Sequence, residues 1–470
     1  MKMINRREWL RTTGAGFGSL ALRAMLDRDS LLAADAGNPL AARGTHFAPK
    51  AKSVIFLFMY GGPSQVDLFD PKPELTKQDG KAIPVFKPDD AFNKATKNIA
   101  MKSPYKFAKQ GQSGIVFPEV YPQLAQHADE LCVIRSLHCE SNNHGPALFQ
   151  MNSGSILAGR PCMGSWATYG LGSEDENLPG FVVMLDHQGA PINGAMNWSN
   201  GFMPAAYQGV PFRPTGEPIA YLSPPSGITD ERQRARLDLL KKWNEENLAS
   251  NPAESRLAAR IASYELAYRM QTHASDVVDL ANETEPIKRL YGLDNKVSSH
   301  FGRNCLLARR LVERGVRFVQ LYSGGNEGPR AWDAHDDLKK NHDLHCAETD
   351  QPIAGLLTDL KQRGLLDSTL VIWGGEFGRT PTAEGGKGRD HHARGFTMWM
   401  AGGGIKGGMT YGSTDDFGYH AVEDKVSIPD LHATILHLMG MDHKKLTYRF
   451  MGRDFRLTDV SGEVIQPILA

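Results

Sequence analysis

The strongest constraint on the fold is a series of short apolar runs that stop at glycine or at a polar side chain. Two of them read VIFLFMY at 54–60 and TLVIWGG at 369–375. Near-continuous apolar runs of this length are typical of strands buried on both faces of a parallel sheet. Segments with helical spacing of apolar residues, closed by Gly315 and Gly364, lie between such runs. This alternation predicts an α/β fold, a three-layer sandwich around a mostly parallel central sheet.

Polar side chains gather in five clusters, each of which we place after an apolar run that is predicted to be a strand. In open α/β sheets, ligands bind beyond the carboxyl ends of the strands, because the loops there meet at one edge. We therefore expect the five clusters to lie close together, at Gly61–Asp70, Ser141–His144, Ser323–His335, Glu376–Arg379 and Asp390–His392.

The composition excludes some partners and is that of an ordinary globular protein. The chain has 470 residues, of which 41% are hydrophobic and 23% charged, and its formal net charge is zero. It has no basic stripe that would favour a nucleic-acid partner. It also has no run of about eighteen apolar residues, so we predict no membrane span in the mature protein. We predict a single domain over residues 50–470, with a helical insertion around 229–300.

The first residues resemble an export signal. Arg6 and Arg7 are followed by Trp9 and by a mildly apolar run rich in glycine and alanine. This pattern is similar to a twin-arginine signal peptide, which we predict to span residues 1–36 and to be cleaved after Ala36. The protein would then use the twin-arginine translocation machinery and be periplasmic or otherwise exported. The alternative is an amphipathic N-terminal helix.

The segment AWDAHDDLKKNHDLH holds a dense group of carboxylates and imidazoles. Zinc, manganese and iron prefer these ligands, whereas calcium and magnesium favour all-oxygen sets. Asp333 and His335 lie two residues apart in a loop after a predicted strand, so we predict both as metal ligands. In this interpretation Asp337 belongs to a solvated helix start, and His342 and His345 lie on the surface of that helix.

Two further segments supply a carboxylate, imidazoles and arginines. GGEFGRTP places Glu376 at a strand end with Arg379 close behind it. The carboxylate can hold a metal and the guanidinium can clamp a phosphate or sulfate group, with an internal Glu–Arg ion pair as the alternative. GRDHH adds Arg389 as a second clamp and either His391 or His392 as an imidazole ligand, because two adjacent side chains rarely reach one ion.

Several motifs resemble known families. STLVIWGGEFGRTP and VSIPDLHATILHLMG resemble segments of the alkaline phosphatase and sulfatase superfamily. More closely, GGPSQVDLFDPKP, WDAH, EFGRTP, GRDHH and AGGGIKGG together resemble the family known as domain of unknown function 1501, over residues 50–470. The resemblance implies an alkaline-phosphatase-like domain that binds a divalent metal, and it leaves zinc, manganese and calcium open.

The superfamily resemblance can be carried over to individual positions. The position of the superfamily's serine, threonine or formylglycine nucleophile holds His144 here, with Asn143 before it. The Asp-His pair after the strand becomes Glu376-Phe377, and Asp67 stands in for the aspartate of the first strand. The metal ligands that this comparison implies are Asp67, Asp333, His335, Glu376 and His391.

The chemistry and the resemblance together predict an exported metal-dependent hydrolase that acts on a phosphate or sulfate ester of a small molecule or glycan. His144 and Arg379 are the predicted catalytic residues, and Asn143 and Arg389 are the predicted substrate-binding residues. Two routes are open: attack by a water molecule that the metal activates, or His144 as nucleophile or general acid–base group. The alternatives are a non-catalytic binding or assembly protein on the same scaffold, and a metal-dependent mutase or lyase.

Overall fold

The computed structural model describes residues 39–84, 98–216, 218–219, 227–250, 264–271 and 275–470. The predicted signal peptide lies outside these residues, so export through the twin-arginine machinery stays a prediction. Within the described ranges, no helix combines the length and the apolar character that crossing a membrane requires.

A nine-stranded sheet forms the centre of the part of the chain that the structure describes, together with smaller two-stranded sheets. The strands are β1 Ser53–Met59, β2 Phe107–Gln110, β3 Ile115–Pro118, β4 Leu131–His138, β5 Phe181–Met184, β6 Val210–Phe212, β7 Phe318–Ser323, β8 Thr369–Gly374, β9 Gly378–Glu384, β10 Gly388–His392, β11 Phe396–Ala401, β12 Met409–Tyr411, β13 Ser413–Thr414, β14 Ala421–Glu423, β15 Val426–Ser427, β16 Tyr448–Phe450 and β17 Arg453–Phe455. The large sheet has the order β12-β4-β11-β8-β1-β7-β5-β6, and β15 also pairs with β4.

Helices connect most of these strands. They are α1 Gln65–Leu68, α2 Pro73–Lys77, α3 His144–Ser153, α4 Met163–Leu171, α5 Asp230–Ser250, α6 Ser275–Val278, α7 Glu285–Leu290, α8 Ser299–Glu313, α9 Leu338–Gln362 and α10 Ile428–Leu438. Residues 264–271 are also helical. Most of the described residues of the segment 229–300 are therefore helical, with turns at 279–284 and 291–298, and its status as an insertion stays a prediction.

Both faces of the sheet are covered, which confirms the three-layer prediction. Every residue of β1, β7, β8 and β11 is buried. Successive residues of β1 pair with Gln320 in β7 and with Trp373 in β8, so these two side chains point to opposite faces. Gln320 donates to the Asn152 side chain of α3 at 2.9 Å. On the other face Trp373 contacts Trp332, which stacks on His345 of α9.

The carboxyl ends of β1, β4, β7 and β8 lie at one edge of the sheet. β1 is parallel to β7 and β8, and β4 runs in the same direction because both β4 and β8 are antiparallel to β11. The GRDHH segment differs from its prediction, since it lies in the hairpin strand β10 and precedes β11 rather than following an apolar strand. It reaches the same edge because an antiparallel strand begins where its neighbours end.

Helix α9 is more deeply buried than the sequence predicted. The Asp337 side chain caps its first turn, as expected of a helix start. His342 and His345 are fully buried, so their assignment to the surface was wrong. The reason is that both imidazoles bond the backbone of neighbouring loops. His342 Nε2 accepts from the Ser64 N–H at 3.0 Å, and His345 Nε2 donates to the Ala331 carbonyl at 2.9 Å.

Asp350 of α9 gives the fold a testable pH dependence. Burial raises the pKa of this carboxyl to about 6, although it accepts backbone hydrogen bonds from Gln123 and Leu124. An acid with a folded pKa above its unfolded value stabilises the protein below about pH 4, and this stabilisation is lost as the pH rises through 6. The unfolding free energy of Asp350→Asn minus that of the parent should therefore rise by about 2–3 kcal/mol when the pH is raised from about 4 to about 7. Denaturant unfolding at both pH values tests this, and a pH-independent difference would contradict it.

Candidate metal centre

Loops at the carboxyl edge of the sheet bring one cluster of side chains together. His144 is the first residue of α3 and follows β4, while Asp333 and His335 lie between β7 and α9. Glu376 follows β8, and His391 lies in β10. These are the polar segments whose convergence the sequence predicted. The Gly61–Asp70 segment reaches the cluster through Gly61, whereas its Asp67 side chain lies outside.

The turn after β1 can close around this cluster because it consists of glycine. Gly61 and Gly62 have φ angles of 114° and 82°. A Cβ atom on Gly61 would lie 2.7 Å from the backbone nitrogen of Asp333, so a larger residue does not fit there. The Gly61 N–H donates to both carboxylate oxygens of Glu376, at 3.0 and 3.2 Å. The turn therefore holds the fully buried Glu376 in one orientation.

Asp333 is the centre of the cluster. Its Oδ1 atom lies 2.9 Å from His335 Nε2, 3.0 Å from His391 Nε2 and 3.4 Å from His144 Nε2. The Nε2 atoms of His335 and His391 are themselves 2.9 Å apart. Three imidazoles thus point the same ring nitrogen at a single carboxylate oxygen.

Each of the three imidazoles is held at its other nitrogen by an oxygen acceptor. His144 Nδ1 lies 2.6 Å from Glu376 Oε1, and His335 Nδ1 lies 2.5 Å from Glu384 Oε2. His391 Nδ1 lies 2.9 Å from the carbonyl oxygen of Asn142. Carboxylate and carbonyl oxygens can only accept here, so each Nδ1 carries a proton. The neutral form of each ring then presents a lone pair at Nε2.

This arrangement requires positive charge at its middle. Three Nε2 lone pairs and an anionic oxygen repel one another at these distances unless protons or a cation lie between them. An oxygen acceptor at the far ring nitrogen is also what metal-bound histidines have in proteins, because it fixes the tautomer and the ring orientation. The cluster therefore has the structure of a ligand set together with its supporting hydrogen bonds.

Burial and neighbouring charges set the protonation of these groups. Against the effect of burial, hydrogen bonds from the imidazoles and the charge of Arg379 hold the pKa of Asp333 far below its usual range. Also against burial, hydrogen bonds to Asp333 and Glu376 raise the pKa of His144 to about 9. Burial, together with the charge of Arg379, lowers the pKa of His391 to about 3. At neutral pH these shifts give an imidazolium at His144, a neutral imidazole at His391 and a carboxylate at Asp333.

The donor set and its spacing fit a cation of the zinc class. Bonds of about 2.0–2.1 Å in a tetrahedron place neighbouring ligand atoms about 3.3 Å apart. The separations of 2.9–3.4 Å between Asp333 Oδ1 and the three nitrogens span that value. Asp390 can join His335 and His391 as an alternative set of three, whose ligand atoms also lie within 4.8 Å of one another. A set dominated by imidazole does not suit calcium.

Arg379 does not have the position of an anion clamp. Its side chain is fully buried and donates to the backbone carbonyls of Gly61, Gly62 and Arg389. It also donates to Asp333 Oδ1 at 2.5 Å, so its ion pair is with Asp333 rather than with Glu376. The guanidinium positions that carboxylate from the protein side and is not available to a ligand from the solvent side.

Asp67 and Arg389 lie outside the cluster and pair with each other. Arg389 Nε donates to Asp67 Oδ2 at 2.6 Å, and both side chains are fully buried. The guanidinium also donates to Asp67 Oδ1 at 3.1 Å and to the carbonyls of Thr380 and Met101. Ser64 donates to the same carboxylate at 2.5 Å. The structure therefore places neither Asp67 beside the proposed metal nor Arg389 where an ester could reach it.

The remaining predicted residues divide between the cluster and its surroundings. Asn143 is the N-cap of α3, where its side chain accepts from the Gly145 N–H at 3.2 Å, and it is exposed beside His144. Of the adjacent histidines, His391 lies in the cluster. His392 is buried elsewhere and donates to the Tyr419 carbonyl at 2.5 Å.

Two supporting groups were missed by the sequence interpretation. The sequence analysis singled out neither Glu384 nor the Asn142 carbonyl, and a backbone carbonyl has no sequence signal at all. Glu384 reaches His335 because the β9–β10 hairpin carries it to the loop before α9. A spacing rule within one segment could not have found either contact, since each joins segments that are distant in the sequence.

A shallow cavity of about 430 Å³ lies near the cluster, lined by Ala190, Pro191, Ile192, Asn326 and Glu327. Tyr60 separates the two, because its hydroxyl accepts from the Ile192 N–H at 3.3 Å while its ring packs edge-on against His144. The lining contains a carboxylate and no basic residue, so the cavity itself does not supply charge for an anion.

A sequence profile described as "Protein of unknown function (DUF1501)" matches residues 51–469. The chain belongs to the DUF1501 family. This confirms the family that the five motifs predicted. No curated protein is similar to the DUF1501 chain in sequence.

Solved structures similar to this DUF1501 protein include members of the alkaline phosphatase and sulfatase superfamily. The lipoteichoic acid synthase LtaP from Listeria monocytogenes is 9% identical, with 86% of this chain and 76% of that chain covered and a TM-score of 0.36. The PsFucS1 sulfatase from Pseudoalteromonas sp. is 12% identical, with 88% and 72% covered and a TM-score of 0.36. An alkaline phosphatase superfamily protein from Vibrio parahaemolyticus is 10% identical, with 87% and 71% covered and a TM-score of 0.33.

Proposed function

We propose that this DUF1501 protein is an exported metal-dependent hydrolase of a phosphate or sulfate ester. The observation that carries the proposal is the convergence of three oriented imidazoles on Asp333 Oδ1. The superfamily motifs in the sequence support the ester class, and the twin-arginine pattern supports export. Within the proposal, Asp333, His335 and His391 are the metal ligands.

The donor set favours zinc or manganese over calcium as the resident cation. A cation bound there would lower the pKa of a coordinated water toward 7 and withdraw charge from an ester oxygen. Asp333 is positioned for this role by Arg379, and His335 and His391 by Glu384 and the Asn142 carbonyl. These contacts keep the ligands in place when no substrate is bound.

His144 and Glu376 form a dyad that we assign to proton transfer. Glu376 holds His144 at Nδ1, so the Nε2 atom of His144 faces the centre. Of the three imidazole Nε2 atoms, that of His144 is the most distant from Asp333 Oδ1. A histidine oriented by a buried carboxylate is a recurrent general acid–base pair. This assignment takes up the acid–base role predicted for His144. Glu376 then supports an imidazole instead of binding the metal itself.

The charge of the substrate is balanced without an arginine clamp. The guanidinium groups of Arg379 and Arg389 both donate to buried groups of the protein, so neither contacts the ester. The positive end of α3 begins at His144 and faces the cluster, and helix N-termini favour anions. The imidazolium form of His144 adds a further positive charge, so the cation, the helix end and His144 together would hold the anion.

Replacing Glu376 with glutamine tests the dyad. The turnover number for a hydrolysed aryl ester should fall by about 10²–10⁴-fold, because His144 loses the carboxylate that fixes its tautomer. The metal content of the purified variant should stay that of the parent. Asp336→Asn, at an exposed carboxylate in the same loop as Asp333, is the matched control and should change neither quantity. Lost metal content with the variant folded would instead make His144 a ligand.

Metal analysis of the purified protein, followed by a panel of aryl phosphates and sulfates, tests the function as a whole. We expect about one or two equivalents of zinc or manganese and turnover of at least one ester class that is lost on chelation. A folded protein that takes up no divalent metal would refute the proposal. A metal-loaded protein without turnover would favour the non-catalytic binding protein on the same scaffold.

A further inference from the structure

A second group of metal-binding side chains lies outside the cluster around Asp333. Asp186, His187 and His300 each offer one ligand atom, and these atoms lie within 4.8 Å of one another. Asp186 and His187 follow β5, and His300 lies in the first turn of α8. β5 is parallel to β7, so its carboxyl end lies at the same edge of the sheet as the first cluster.

The carboxylate of Asp186 is buried and held in one orientation. Its Oδ1 accepts from the Gln188 N–H at 2.8 Å, and its Oδ2 accepts from the Gly324 N–H at 2.9 Å. Each oxygen also has an imidazole beside it. His187 Nδ1 lies 3.0 Å from Oδ1, and His300 Nε2 lies 3.9 Å from Oδ2. Backbone donors thus fix the carboxylate while leaving both oxygens next to a possible co-ligand.

No arginine or lysine among the described residues forms an ion pair with this carboxylate. Among the ion pairs of the described residues, the partners of Asp186 are the imidazoles of His187 and His300. The centroids of the two rings are 4.0 Å apart, too close for two imidazolium ions to be stable side by side. Because Asp186 is only 1% exposed, its charge needs a partner, and a cation shared by all three groups would supply one.

We propose that Asp186, His187 and His300 form a second binding site for a divalent cation of the zinc class. One ligand atom from each of the three groups lies within 4.8 Å of the others, which leaves room for the distance of about 3.3 Å between neighbouring ligands of tetrahedral zinc. Two imidazoles with one carboxylate favour zinc over calcium and magnesium. The His187 side chain is 38% exposed, so solvent or an exogenous ligand completes the coordination. The site shares no residue with the cluster around Asp333 and does not depend on the hydrolase proposal.

Zinc titration of the purified protein by equilibrium dialysis tests this site. His187→Gln and His300→Gln should each bind one equivalent fewer than the parent, or bind it more than about 100-fold less tightly, since each loses a ligand. His46→Gln replaces an exposed imidazole elsewhere and should bind zinc as the parent does. His391→Ala should remove a different equivalent, which separates this site from the first.

The same variants decide the outcome even if the first site fails to bind metal. A parent that binds one equivalent, lost in His187→Gln and His300→Gln, supports the second site alone. The proposal is overturned if both variants keep the stoichiometry and affinity of the parent. Circular dichroism of the metal-free variants should match the parent, which shows that a lost equivalent reflects a lost ligand. Cobalt absorption at the site should show the same pattern of losses as zinc.

Discussion

Replacing His391 with alanine is expected to lower the metal affinity of the main centre by more than about 100-fold and to abolish ester hydrolysis. Loss of a group that merely supports a ligand costs about 10–100-fold, so loss of a ligand should cost more. His391 Nε2 lies 3.0 Å from Asp333 Oδ1 and 2.9 Å from His335 Nε2. Its removal leaves only two of the three proposed ligands. Equilibrium dialysis with metal analysis would detect the loss of bound metal.

The neighbouring histidine provides the control for this experiment. His392 is buried and donates to the Tyr419 carbonyl, away from the centre. His392→Ala should therefore leave the metal stoichiometry of the main centre unchanged while lowering the unfolding free energy by about 1–3 kcal/mol, through a lost hydrogen bond and a cavity. If the two alanine variants lost metal equally, the assignment of His391 as the ligand would fail.

Arg389→Met is expected to destabilise the protein by about 3–5 kcal/mol instead of weakening substrate binding. Arg389 and Asp67 form an ion pair in which both side chains are fully buried. Removal of one partner leaves an uncompensated buried charge on the other, and this is the costly event in such pairs. The backbone carbonyls of Thr380 and Met101 also lose their donor. Denaturant unfolding at neutral pH measures the loss.

An exposed ion pair provides the control for Arg389→Met. Arg449 and Asp454 pair at 3.1 Å in the hairpin of β16 and β17, where both side chains are about half exposed. Arg449→Met should cost at most about 1 kcal/mol, because solvent screens the charge that remains. Where Arg389→Met still folds, its Michaelis constant for an ester should equal that of the parent. An increase in that constant without loss of stability would restore Arg389 as a substrate-binding residue.

The parts of the site that sequence could predict are those that depend on the ends of strands. The apolar runs identified β1, β4, β7 and β8, and parallel strands bring their following loops to one edge. That rule was sufficient to place Asp333, His335, Glu376 and His144 together. GRDHH reached the edge for a different reason, since β11 is antiparallel to both of its neighbours in the sheet.

The partners of each charged side chain were not predictable in the same way. Arg379 lies three residues after Glu376 and Arg389 two residues before His391, yet both side chains are buried and donate to groups inside the protein. Asp67 looked equivalent to Asp333 as a carboxylate in a strand-end loop. Arg389 reaches Asp67 across more than three hundred residues of sequence, and no local pattern encodes that contact.

The sequence by itself determined the class of fold, the family and the edge of the sheet where the polar loops meet. The reason is that strand burial and helix periodicity are local properties, and the direction of a strand fixes where the next loop begins. Only the tertiary structure decided that three imidazoles share Asp333 while Asp67 closes on Arg389. How deeply each side chain is buried, and which group it hydrogen-bonds, depend on segments that are far apart in the chain. These distant contacts separate a ligand from a structural ion pair.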